Sequence, residues 1–154
     1  MNWLKHLLLA WLLLLLTIGG YRLDLFFWPE LALCLVISLT VSGDWRHAVF
    51  YGLFLGLGLD YYLLNSWSQT ALVYLLIITL GAWLAQRLAV RSNQALWLGL
   101  TFGLVLIYEL WQSLLAGYQL GLNLGAIVSQ WVMASLMIVA LMRLAKNRQE
   151  VKIG

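Results

Sequence analysis

Apolar residues run in long blocks along the chain, with short polar breaks between them. Neither the twofold alternation of a half-buried strand nor the soluble helix pattern of one polar and one apolar face recurs. Read against the requirement of about 20 mostly apolar residues per membrane helix, the blocks predict six spans, at roughly 3–20, 27–42, 47–64, 70–87, 95–116 and 123–144. The breaks carry turn or interfacial residues: Gly19-Gly20 through Pro29, then "SGDWRH" (42–47), "NSWSQ" (65–69), "RSNQ" (91–94) and "AGYQLGLN" (116–123). The second block is short for a crossing, which fits a helix of little tilt or one that is partly re-entrant.

Composition agrees with this reading. Of 154 residues, 64% are hydrophobic and 10% charged, with a mean hydropathy of +0.90. Soluble domains carry roughly 25% charged residues, and a water-soluble globule of this length could not bury so much apolar surface. The predicted fold class is therefore all-α: a polytopic membrane protein of six transmembrane helices in one domain, 1–154, surrounded by lipid bilayer. The opening block resembles a secretory signal, but its apolar run from Leu7 to Ile18 is long for a signal core and no A-x-A site follows. It is expected to remain as the first span.

The charges give the expected orientation. Six spans place both termini on one side, with Lys5, Arg46, Arg87, Arg91, Arg143, Lys146, Arg148 and Lys152, while the other side holds only Arg22. Positive loops stay in the cytoplasm, so both termini are expected there, with 145–154 as a basic tail. That tail is a topology anchor, a contact for anionic lipid, or a contact for an acidic partner. The net charge of +3 is scattered over helix ends and does not form a nucleic-acid patch. Trp3, Tyr21, Trp28, Trp45, Tyr61, Tyr62, Trp67, Trp97 and Tyr118 cluster near span ends, as interfacial aromatic belts do.

Little in the sequence points to chemistry. The one cysteine, Cys34, allows no internal disulfide and is expected to face lipid or core. His6 and His47 fall at span edges, and no residues have metal-ligand spacing. There is no intraspan Ser/His pair, H-E-x-x-H or phosphate loop. No enzyme activity, cofactor, metal or catalytic residue is expected.

The exceptions are two acids well inside spans, Asp60 and Glu109. A carboxylate at the centre of a membrane helix costs about 2.5–3.5 kcal/mol on insertion scales and usually faces protein or water. Both lie about 20 Å from the cytoplasmic edge at 1.5 Å per residue. Gly52-x-x-x-Gly56-x-x-x-Asp60 places two glycines and the acid on one helix face, where the glycines admit a second backbone. The fifth span repeats the small spacing at Gly99 and Gly103, and residues 52–63 match 99–110 at seven of twelve positions. Gly52, Gly56, Asp60 and Glu109 are the candidate partner-binding set. The carboxyls could bond Ser, Thr, Tyr or Gln across the bundle, meet Arg22, or form a proton or ion relay between themselves.

The order of these features resembles the MreD family of rod shape-determining inner-membrane proteins. A first span and outer loop lead to "WPE" (28–30) opening the second span, then Gly52, Gly56 and Asp60, a short polar turn, and "ALVYLLIITLGAWL" (71–84). The likeness covers the chain in length and span number, and rests in motif on 28–84. The family commonly has a glycine in the turn after the aspartate, where this chain has Ser68 nearby. The resemblance implies a non-catalytic scaffold of the peptidoglycan elongation machinery in the bacterial inner membrane. Such a scaffold binds MreC and helps couple cytoskeletal MreB to the synthase, maintaining rod cell shape. The family fold is also similar to the S-components of vitamin transporters, so the alternative expectation is a substrate-binding component of a small-molecule transporter. By that analogy Gly52, Gly56 and Asp60 would shape a seam or cavity open to the outer side.

Overall fold

The computed structural model describes residues 3–22, 30–63, 69–88, 94–115 and 124–150. These form six helices: α1 (Trp3–Arg22), α2 (Leu31–Ser42), α3 (Trp45–Tyr62), α4 (Gln69–Arg87), α5 (Gln94–Leu115) and α6 (Leu124–Glu150). The fold is all-α, with no strand among the described residues. The segments 69–87, 95–114 and 124–143 are each long and apolar enough to cross a membrane, and α1 and α2 contain shorter apolar stretches. The start of the predicted second span, 27–29, lies outside the described residues. The last helix runs to Glu150, so much of the expected tail continues α6.

The short second block is the centre of the bundle. α2 packs against all five other helices. Nine of its twelve residues are buried: Ala32, Leu33, Cys34, Val36, Ile37, Ser38, Leu39, Thr40 and Val41. A helix surrounded on every side needs no polar face. Its two buried hydroxyls bond back to its own carbonyls, Ser38 to Leu35 at 2.8 Å and Thr40 to Val36 at 2.7 Å. Neither therefore leaves an unpaired polar group in the core.

α2 ends in a Schellman motif. Gly43, at φ 85°, donates to the Thr40 carbonyl at 3.1 Å, and Asp44 donates to the Leu39 carbonyl at 2.9 Å. Only glycine adopts that backbone without a Cβ penalty, so Gly43 sets the tight reversal into α3. The two helices pack together directly.

α1 is the most peripheral helix. It packs on α2 and α3 only, through Ala10, Leu14 and Thr17, and exposes Leu4, Leu8, Trp11, Leu12 and Leu15. Exposed leucine and tryptophan on this scale form a patch that water does not tolerate in a monomer and that hydrocarbon does.

Candidate functional site

The face carrying Gly52, Gly56 and Asp60 packs on α4. A Cβ built on Gly56 would stand 2.5 Å from the Ala71 Cα, and one on Gly52 would stand 2.7 Å from Ile78 Cδ1. The first contact is with backbone and cannot yield by a rotamer change, so the missing side chain at 56 sets how closely α3 and α4 approach. The groove that a partner helix would need at this seam is filled by the protein's own α4.

Asp60 lies one turn beyond Gly56 and is 3% exposed. Its Oδ1 accepts from the Thr70 amide at 2.9 Å and its Oδ2 from the Ala71 amide at 3.0 Å. These are among the first amides of α4, which lack partners inside their own helix. An N-cap side chain normally satisfies such groups from the residue before the helix. Here the cap comes from the neighbouring helix, and the carboxylate faces the positive end of the α4 dipole. The side-chain and Arg22 partners anticipated for Asp60 are thus replaced in part by backbone amides. The Arg22 side chain lies outside the described residues.

A third acid belongs with these two. Glu30 directly precedes α2 and is 5% exposed. Tyr74 of α4 donates to its Oε1 and Tyr108 of α5 donates to its Oε2, while Gln112 Nε2 donates to the Tyr108 hydroxyl at 2.9 Å. The Glu30 carbonyl accepts from the Cys34 amide at 3.0 Å, starting the α2 ladder. Glu30 therefore fastens α2 to α4 and α5 through one carboxyl group. α2 spans only about 18 Å at 1.5 Å per residue, against roughly 30 Å of hydrocarbon. A helix of that length does not cross the hydrocarbon by itself. The sequence places Asp60 and Glu109 well inside spans and Glu30 at the start of the second; the structure adds Glu30 to the candidate site.

Glu109 is half-buried on α5, with Gln130 of α6 and Glu30 as its polar neighbours. The helices α3 and α5 do not pack together, so the anticipated relay between Asp60 and Glu109 has no direct contact between its two helices. Cys34 faces the core, its Sγ 3.5 Å from the Gln130 carbonyl. At the other end of the bundle, the His6 and His47 rings stack at 4.8 Å. His6 Nδ1 lies 2.8 Å from the Tyr51 hydroxyl, and His47 Nδ1 lies 2.7 Å from Asp44. These contacts tie α1 to α3. Among the described residues, no group of three or more His, Cys, Asp or Glu is arranged to hold a metal.

Gly99 and Gly103 differ from their counterparts at 52 and 56. A Cβ at either would meet nothing within 4 Å, so the matching stretches of α3 and α5 occupy unlike surroundings.

The polar geometry divides in two. One part, Asp60 with Gly52 and Gly56, locks α3 to α4. The other part joins Glu30, at the start of α2, with Tyr74 of α4 and with Tyr108 and Gln112 of α5. No protein family, curated protein or solved structure matches this chain.

Proposed function

We propose that this chain is a non-catalytic scaffold of the cell-wall elongation machinery in the bacterial inner membrane. In this reading it has six spans and cytoplasmic termini, and maintains rod shape by binding MreC and linking peptidoglycan synthesis to the MreB cytoskeleton. The observation that carries it is the use made of Asp60. The motif on which the MreD resemblance rests applies its carboxylate and both glycines to holding two helices together. That suits a protein whose task is to present a fixed surface. Gly52, Gly56 and Asp60 then support partner binding by fixing the α3–α4 end of the bundle, and direct contact there requires α4 to move.

The test is co-purification from native membranes in mild detergent. MreC is expected with the wild-type chain and is expected to be lost with Gly56→Leu at matched protein level. Absence of MreC from the wild-type preparation would refute the assignment.

The Glu30 cluster favours the second reading, a substrate-binding component of a vitamin-type transporter. A carboxyl held by two tyrosine hydroxyls in a membrane bundle is the kind of convergent polar group that orients a small ligand. That reading predicts that a vitamin-type ligand raises the melting temperature of the purified protein and that Glu30→Gln abolishes the rise.

A further inference from the structure

A groove of about 190 Å³ lies between α5 and α6, lined by Trp97 and Leu98 from α5 and by Trp131, Ser135 and Val139, among others, from α6. We propose that it seats one acyl chain of an anionic phospholipid, whose phosphate lies on Arg143. The site is independent of the function proposed above.

Three observations support this occupant. The groove walls are preformed: the Trp131 indole N–H donates to the Leu98 carbonyl at 3.1 Å, and Phe102 stands edge-on to the Trp131 ring at 5.8 Å. With its polar edge thus satisfied, Trp131 adds apolar surface, and the lining is apolar apart from the Ser135 hydroxyl, which has no hydrogen-bond partner among the described residues. Six of the groove's seven lining residues are apolar or aromatic, and Ser135 is the one small residue among the seven.

The register along α6 supplies the second observation. Val132, Ser135, Val139 and Arg143 follow one another at helical spacing on one face. Val139 stands about 6 Å, and Val132 about 16 Å, along the axis from Arg143. That range matches the hydrocarbon depth of one leaflet, roughly half of 30 Å.

Charge is the third. Arg143 is exposed, one turn beyond the end of the groove, where a guanidinium binds phosphate through paired N–H donors. Lys146, Arg148 and Lys152 follow in the sequence, which favours a net-anionic headgroup over a zwitterionic one.

Native mass spectrometry of the full chain, loaded with phosphatidylglycerol or with phosphatidylcholine of the same acyl chains, tests the site. The wild-type chain is expected to retain one phosphatidylglycerol in preference to phosphatidylcholine. Ser135→Phe fills the slot and is expected to abolish retention of either lipid. Val139→Trp, at a partly exposed position, repeats that test should the first variant fold poorly. Arg143→Gln is expected to weaken phosphatidylglycerol by about tenfold, the loss of one charge-assisted contact, and to weaken phosphatidylcholine as well, since it carries the same phosphate. Equal retention of the two lipids by the wild-type chain would overturn the proposal. So would undiminished phosphatidylglycerol on a folded Ser135→Phe or Val139→Trp chain. A wild-type dimer that Ser135→Phe converts to monomer would assign the groove to a second copy instead.

Discussion

The carboxylate of Asp60 on α3 caps the amide of Ala71 on α4, at 3.0 Å, and one turn earlier Gly56 brings its own backbone against the same Ala71. The two contacts depend on each other. Without the glycine, α3 stands too far away for Asp60 to reach the amides. Without the acid, the first turn of α4 leaves unpaired N–H groups in a low-dielectric region, where each costs about 1–3 kcal/mol.

Substitution of glycine by alanine should therefore have opposite outcomes on the two similar stretches. Gly56→Ala puts a methyl group into the Ala71 backbone and is expected to destabilise the bundle by about 1–3 kcal/mol, the range for overpacking. Gly103→Ala meets open space and gains helix propensity, up to about 1 kcal/mol. Reversible unfolding of both variants in the same bilayer mimetic checks this. Equal losses would mean that the two glycines share one environment.

The Glu30 cluster should behave as a unit. Tyr74→Phe and Tyr108→Phe each remove a donor to the same carboxyl group, each at a cost of about 1.5–3 kcal/mol if that carboxyl is charged. A double-mutant cycle is expected to show a coupling energy of about 0.5 kcal/mol or more, as residues in one network do. Strict additivity would show that the two hydroxyls act separately.

The α2–α3 reversal depends on one conformation. Gly43→Ala is expected to cost about 1–2 kcal/mol, because a Cβ at φ 85° crowds the following carbonyl. Gly43→Asn should cost less, since asparagine visits that region more readily. Thermal melts of the three proteins decide it; matching melts for Ala and Asn would mean that the turn relaxes to another shape.

Much of this was legible in the sequence, and the exceptions have physical causes. The fourfold spacing of Gly52, Gly56 and Asp60 announces a helix face made for close approach. A span pattern does not say whether that face meets a partner or the next helix of the same chain, since both present the same surface. The backbone amides of Thr70 and Ala71 leave no mark in a sequence at all. The sequence puts Glu30 at the start of the second span, not well inside one as Asp60 and Glu109 are. Nothing in the sequence marks its partners Tyr74 and Tyr108, which lie 44 and 78 residues away along the chain. The match between 52–63 and 99–110 suggested equivalent roles that the surroundings of Gly56 and Gly103 do not share. Leucine-rich helices agree by composition, and packing is decided by what lies opposite.

The claim on which the rest depends is that Asp60 exists to finish α4. Residue-resolved amide hydrogen exchange at Thr70 and Ala71 tests it most directly, in wild-type and Asp60→Ala proteins reconstituted in the same lipid. Both amides should exchange slowly in the wild-type chain and lose most of that protection in the variant, while amides in the middle of α2 keep theirs. Unchanged protection at Thr70 and Ala71 without the carboxylate would contradict it.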